Sequence, residues 1–352
     1  MNRMTLDTPE VLVDLDIAEK NIRGFQDYCD THGIRLRPHI KTHKLPFLAK
    51  NQLDAGAIGI TCQKISEAEA MLETGENLDV LLTYNILGTE KIARLRKLAD
   101  RVKLSVVADN EAVIAALSKG FANAAQPLDV LVECNTGADR CGVDTPAEAA
   151  DLAQMIAKAP GLTFKGLMTY PPVGGTEKVL AWLTDAKSRI EAAGQTVEVI
   201  SSGGSPDMWR AHEMPLATEY RIGTYIYNDR SLVLRGTCDW ADCALSVLAT
   251  VVSVPSPHRA IIDAGSKVLT SDLLGLAGYG HVLGHPDYVI DQLSEEHGRI
   301  ISEEPMDFTV GQRVRIIPNH ACVVSNMLDR VTLTRGETVE SQVPVAARGQ
   351  VW

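Results

Sequence analysis

A rhythm constrains this chain more than any single residue does. Short β-branched runs recur along its first two thirds, separated by stretches of helical periodicity. "IRLRPH" near residue 36, "AIGIT" near 59, "DVLLT" near 81, "KLSVV" near 105, "DVLVE" near 130, "TFKGLM" near 165 and "VEVISS" near 199 read as strands. Their spacing is about 22–25 residues at first and about 35 later, the length of a strand, a loop and a helix in series. The intervening segments agree. "ISEAEAMLETG" sets Ile65, Ala68 and Leu72 on one helical face and stops at Gly75, and "TEKIARLRKLAD" follows the same pattern.

Such a series either spreads into an open doubly wound sheet or closes as a (β/α)8 barrel. No GxGxxG follows the first strand, which weakens the dinucleotide-binding version of the open sheet. With "ATEYRIGTYIY" as an eighth strand and loop, the count suits a barrel. Chemistry in barrels collects at the carboxyl ends of the strands. Lys41, Gln63, Arg140, Tyr170 and Ser202 each lie just past one of these runs. From residue 236 onward the rhythm changes to strand runs joined by turns: "ALSVLATVVSVPS", "RAIIDAGSK", "QRVRIIPNHACVV" and "DRVTLTRGETVESQVPV". The expected organisation is an α/β barrel over 16–235 and a mainly antiparallel β domain over 236–352. Residues 1–15, with "EVLVDLD", supply a strand that joins the β domain.

Composition narrows the partners. The 352 residues are 45% hydrophobic and 22% charged, enough apolar material for a sizeable core and too little charge for disorder. A net charge of −11 argues against nucleic acid and anionic membrane, both of which select basic surface. Seven cysteines in no framework suit reduced thiols in a cytoplasmic protein. The opening "MNRMTLDTPE" lacks a signal's apolar stretch, and no run approaches the roughly 18 apolar residues of a spanning helix.

Against this acidic background "RLRPHIKTHK", Arg35–Lys44, stands out. The bland reading of Lys41 and Lys44 is solvated loop charge. The sharper one is a lysine that forms a Schiff base, its amine desolvated among Arg37, His39 and His43. "SSGGSPD" is either an ordinary loop or a cradle of backbone N–H groups for a phosphate, and Gly223 in "YRIGTY" lies one strand later. In "PNHACVV", His320 and Cys322 leave one face of a strand at period two. Imidazole and thiolate suit zinc, two ligands leaving positions for water or substrate; the bland alternative is a buried cysteine beside a structural histidine.

Read in order, "TPEVLVDLDIAEKNI", "RPHIKTHK", "TCQKISEAE", "GADRCGV", "GLMTY", "ISSGGSPD", "SEEHG" and "HAC" resemble the D-threonine aldolase and D-serine dehydratase family of alanine-racemase-like (fold type III) pyridoxal phosphate enzymes. The resemblance covers essentially the whole chain. It implies a barrel that binds pyridoxal 5'-phosphate and a β domain that closes the site. Lys41 matches the Schiff-base lysine, and Arg140 an arginine that contacts the cofactor's phenolic oxygen. Tyr170 matches a residue near the ring. Gly203, Gly204, Gly223 and Thr224 fall where the family binds phosphate, with Gln63 and Ser202 alongside. His320 and Cys322 match the metal pair, with zinc favoured over manganese or magnesium. The catalytic set implied is Lys41, Tyr170, His320 and Cys322. A homodimer acting on a small D-amino acid is the family expectation.

Cys322 tilts the expected reaction to a D-serine or D-3-hydroxyaspartate dehydratase, because family aldolases typically pair the histidine with aspartate. Retro-aldol cleavage is the alternative, a racemase a further one, and a non-catalytic cofactor carrier fits less well because it lacks a long β domain. Two features depart from the pattern. "TYPP" replaces the histidine-containing continuation often seen after the tyrosine. Arg221 stands where alanine racemases set an arginine against the pyridine nitrogen, and an unprotonated nitrogen makes the ring a weaker electron sink.

Overall fold

The computed structural model describes residues 1–75 and 77–352. Packing divides the chain into two units. One comprises Met1–Gly24, Thr42–Leu45 and Thr224–Gly349; the other comprises Phe25–Lys41, Pro46–Gly223 and Gln350–Trp352.

The first strand, β1 (Glu10–Asp14), belongs to the former. The next eight form the parallel sheet of the latter: β2 (Arg35–Pro38), β3 (Ile60–Cys62), β4 (Asp79–Leu82), β5 (Lys103–Ala108), β6 (Leu128–Cys134), β7 (Leu162–Thr169), β8 (Val199–Ser202) and β9 (Glu219–Ile222). They run in the order β2-β9-β8-β7-β6-β5-β4-β3, and a parallel bridge between His39 and Thr61 links the two ends, so the barrel nearly closes. All eight runs read from the sequence are strands here. Helices return the chain between them, as where Thr145 caps Pro146–Lys158 with the reciprocal Thr145–Glu148 box.

Period-two alternation fills the barrel. Leu81, Val107, Leu131 and Met168 meet as one apolar cluster, with Val199 against it. Nearer the strands' amino ends the filling becomes ionic. Arg37 is bonded to Glu219 (3.0 Å) and Asp79 (2.7 Å), the first residues of β9 and β4. Lys103 also reaches Asp79, at 2.7 Å. This corrects the expectation that Arg37 helps to desolvate Lys41: its side chain serves the opposite end of the strands.

The other unit holds a nine-stranded, mostly antiparallel sheet. Its later strands are β10 (Leu245–Ser256), β11 (Arg259–Ile262), β12 (His281–Val282), β13 (Val289–Leu293), β14 (Gly298–Ile301), β15 (Arg313–Ile317), β16 (Arg330–Arg335) and β17 (Thr338–Pro344). β1 lies between β10, antiparallel, and β16, parallel. The run "QRVRIIPNHACVV" is not one strand. β15 stops at Ile317 because Pro318 has no N–H for the ladder, and a helix, Ala321–Met327, starts after His320. Among the described residues no helix is long and apolar enough to cross a membrane.

Candidate active site

The carboxyl ends of the barrel strands carry most of the residues singled out above. Lys41 lies in the single turn Ile40–Thr42 that follows β2, and its side chain is half-buried. His39, immediately before this turn, is buried and tightly placed. Its N–H donates to Ile222 O at 2.6 Å, its Nδ1 accepts from the Lys41 N–H at 3.4 Å, and its Nε2 faces Gln63 Oε1 at 3.2 Å. The Gln63 amide in turn donates to Thr83 O at 2.8 Å, which assigns its oxygen to the histidine. Nε2 therefore carries the proton. Burial, then the positive charge of Lys41, hold the His39 pKa well below the usual histidine range, with Arg221 and Arg140 adding to the effect. His39 is a neutral neighbour of Lys41.

Arg140 and Tyr170 meet at the mouth, the guanidinium carbon 4.8 Å from the ring centroid. The loop that carries Arg140 folds back on β6, with the Val143 N–H donating to Glu133 O and the Asn135 N–H to Val143 O, both at 3.0 Å. This return needs glycine at 142, where φ is +107° and a Cβ would stand 2.5 Å from Asn135 N. Tyr170 also borders the glycine turn after β8: a Cβ on Gly204 would lie 3.6 Å from Tyr170 Cε2.

Ser202 ends β8, and Gly203 passes so close to the Arg221 backbone that no side chain fits there. Tyr220 Oη anchors the turn by donating to Gly204 O at 2.7 Å. Among the described residues the N–H groups of Gly203, Gly204 and Gly223 donate no hydrogen bond. Donors without partners at adjacent strand ends, two of them on buried glycines, are what an anion requires. Arg221 lies deeper. Its Nε donates to Ser201 Oγ at 2.8 Å and its terminal nitrogen to Thr169 O, while Ser201 Oγ donates to Glu219 Oε1 at 2.7 Å. Burial lowers its pKa to about 10, which leaves it charged at neutral pH.

The other unit brings together His320 and Cys322. They meet through the start of a helix and not through strand alternation: His320 precedes it in extended conformation, and Cys322 is its second residue. His320 Nδ1 is 2.7 Å from Asp272 Oδ2. Cys322 Sγ is 3.0 Å from Thr42 Oγ1 and 3.5 Å from that of Thr224. Asp229 accepts from the Ala321 N–H at 3.1 Å, between the two, and from Ser231 Oγ at 2.6 Å. Burial disfavours the His320 imidazolium, but Cys322, Asp272 and Asp229 outweigh it and raise its pKa to about 9. Among the described residues no group of three or more His, Cys, Asp or Glu side chains is arranged to hold a metal. The pair nevertheless fits a metal completed by other ligands, with an outer carboxylate on the imidazole. Lys44 is set apart from Lys41 here: it is 5% exposed, and its Nζ donates to Asn326 Oδ1 (2.6 Å) and Ala347 O (3.3 Å).

The comparisons with known proteins agree with this fold. The family profile "Alanine racemase, N-terminal domain" matches residues 13–231, and "Putative serine dehydratase domain" matches 244–334. The D-threonine aldolase of Arthrobacter sp. is 33% identical, over 98% of this chain and 93% of that protein. The chain belongs to the D-threonine aldolase and D-serine dehydratase family. As a member of that family it is a lyase of the pyridoxal phosphate type, with the alanine-racemase-like barrel. The D-threo-3-hydroxyaspartate dehydratase of Delftia sp. is 32% identical, over 91% of this chain and 92% of its own length. The crystal structure of the D-threonine aldolase from Filomicrobium marinum superposes with a TM-score of 0.92, at 31% identity, over 100% of this chain and 98% of that one.

The barrel residues fit this cofactor. They offer a half-buried amine at Lys41, three N–H donors without partners for a phosphate, and an aromatic ring under a guanidinium. Thr42, Asp229, Asp272 and Glu133 had not been singled out in the sequence. Asp272 gives no local signal, being 48 residues from His320 in an irregular segment. Glu133 was legible as an acid closing an interior-facing strand.

Proposed function

We propose that this protein is a metal-assisted dehydratase of D-β-hydroxy-α-amino acids, of the D-serine or D-3-hydroxyaspartate type, giving a 2-oxo acid and ammonia. The observation that carries the reading is a thiol, Cys322, in the first turn of the helix that His320 precedes, close enough for its charge to raise the imidazole pKa. Solved variants of the D-threo-3-hydroxyaspartate dehydratase, 29% identical to this chain, replace a histidine and a cysteine two positions apart, and the cysteine variant is described as metal-free.

Pyridoxal 5'-phosphate, held through Lys41, supplies a conjugated ring that takes up electron density released at the substrate Cα, and a divalent metal on His320 and Cys322 supplies a Lewis acid for the β-oxygen. The residues of this chain do the rest. Gly203, Gly204, Gly223 and Thr224 would hold the phosphate with backbone and hydroxyl donors; Ser202 leads into that turn, and Gln63 would meet the cofactor from beside His39. Arg140 would bond the phenolic oxygen and Tyr170 would lie near the ring. Lys41 Nζ would take the proton from Cα, and a neutral His39 beside it adds no positive charge that would lower the basicity of that amine. Arg221, a full cation already held by Ser201 and Thr169, is the residue that would lie toward the pyridine nitrogen. Asp272 fixes the His320 tautomer, and Asp229 fixes the peptide between the two metal ligands.

The second reading, retro-aldol cleavage to glycine and an aldehyde, is supported by the D-threonine aldolases at 33% identity and at a TM-score of 0.92. The test is incubation of the purified protein, with pyridoxal phosphate and Zn²⁺, with D-serine, D-threonine and D-3-hydroxyaspartate. A 2-oxo acid with stoichiometric ammonia is expected. Glycine with an aldehyde would replace the dehydratase by the aldolase. A homodimer is proposed on family resemblance alone, and light scattering of the loaded protein reads it.

A further inference from the structure

Glu133 is the penultimate residue of β6, two positions beyond Leu131, whose side chain belongs to the apolar filling of the barrel. Alternation puts its carboxylate on the same inner face, one layer nearer the mouth. It is 4% exposed, and among the described residues its carboxylate makes no hydrogen bond. A largely buried carboxylate with no protein partner carries a desolvation cost, which a hydrogen-bond donor within reach would offset.

Three charged groups face it, Asp109 after β5, Arg140 in the loop after β6 and Arg221 on β9, together with the thiols of Cys134 and Cys141, the latter also beside Arg140. Arg221 is committed to Ser201 and Thr169. Arg140 is exposed, rests on the Tyr170 ring, and sits on a loop whose backbone is pinned to Glu133 itself. Arg140 is therefore the donor available.

We propose that Glu133 is a positioning residue: with cofactor bound, its carboxylate accepts a hydrogen bond from Arg140 and holds that guanidinium toward the phenolic oxygen. The inference rests on the assignment of Arg140 to the cofactor made above. The charge environment supports it. Burial first, then Asp109, raise the Glu133 pKa to about 7 against the pull of Arg140 and Arg221, so in the absence of the pair the carboxyl is half-protonated near neutrality. Because the pair requires the ionised form, cofactor affinity rises as pH rises through about 7.

The test titrates pyridoxal 5'-phosphate into the cofactor-free full-length protein, read by tryptophan fluorescence and visible absorbance, for wild type, E133Q, E133D, R140Q and E133Q/R140Q. E133Q is expected to weaken binding about ten-fold, the factor carried by one hydrogen bond to a charged group. It should also lose the rise in affinity between pH 6 and 8 that wild type shows. The double variant should bind no more weakly than R140Q alone. Wild-type affinity and pH dependence in E133Q, or losses that add in the double variant, would overturn the proposal while leaving Arg140 in place. R140Q binding like wild type would instead remove the assignment of Arg140, and this inference with it. If E133Q does not fold, as read by circular dichroism, E133D carries the test. It is expected to keep the pH dependence, and losing it overturns the proposal.

Discussion

The two ends of the barrel are built from the same alternating strands and use charge in opposite ways. At the amino ends every cation named has an anion in contact: Arg37 with Glu219 and Asp79, Lys103 with Asp79, Lys165 with Glu198 at 2.9 Å. At the carboxyl ends, His39 is driven neutral, Glu133 is half-protonated near neutrality, and three backbone N–H groups lack acceptors. An apolar cluster around Leu131 and Met168 lies between. Paired charge stabilises; unbalanced charge leaves a region that a ligand can complete. Along β2 the change takes four residues, from Arg37 to Lys41.

The largest expected effect tests the mouth. Lys41→Ala should lower turnover by about 10³-fold or more, roughly 4 kcal/mol, and borohydride reduction should no longer fix cofactor to the protein. Retained covalent labelling would move the attachment elsewhere. Arg37→Met tests the closed end. Removing one member of a buried ionic network destabilises by about 3 kcal/mol, seen as a lower urea midpoint. Pyridoxal phosphate binding by the folded fraction should be unchanged. If binding falls with stability, the two ends are not independent.

How far this division was legible in the sequence depends on what each residue's signal was. The eight strands were legible because their β-branched runs and spacing are local properties. Lys41 was legible as a cation just past a strand. The decapeptide around it was misread as one environment because composition does not show direction: Arg37 turns into the amino-end network, His39 is buried and neutral, and Lys44, at φ +56°, is tied to Asn326. For His320 and Cys322 the expected strand alternation does not hold, since Pro318 ends the strand and the two residues stand at a helix start. Asp272 depends on a contact across 48 positions that no local pattern encodes.

A smaller effect separates the two ends by pH. The Glu133 pKa rises from 4.5 to about 7 on folding. A raised carboxyl leaves stability intact below pH 4.5, where both states are protonated. Stability is then lost as pH rises to about 7, because the unfolded chain ionises first. Cofactor-free E133Q should therefore gain about 2 kcal/mol over wild type between pH 5 and pH 8, measured by urea unfolding at each pH. No such gain would mean that Glu133 already has a partner without cofactor, and the contrast between the ends would narrow.

The smallest effect is expected from Lys103→Ala. Its side chain is 70% exposed, and Asp79, its partner, is already held by Arg37 at 2.7 Å. An exposed ion pair of this kind contributes about 0.5 kcal/mol, and salt screens it. The urea midpoint should move little at low ionic strength and not at all in high salt, with turnover unchanged. A large, salt-independent loss would show that Lys103 supports the buried Asp79–Arg37–Glu219 network and is not merely attached to its rim. The amino end would then be one cooperative charge lattice spanning β2, β4, β5 and β9, and its contrast with the mouth would be sharper, because the barrel would have an ionic floor in place of separate pairs.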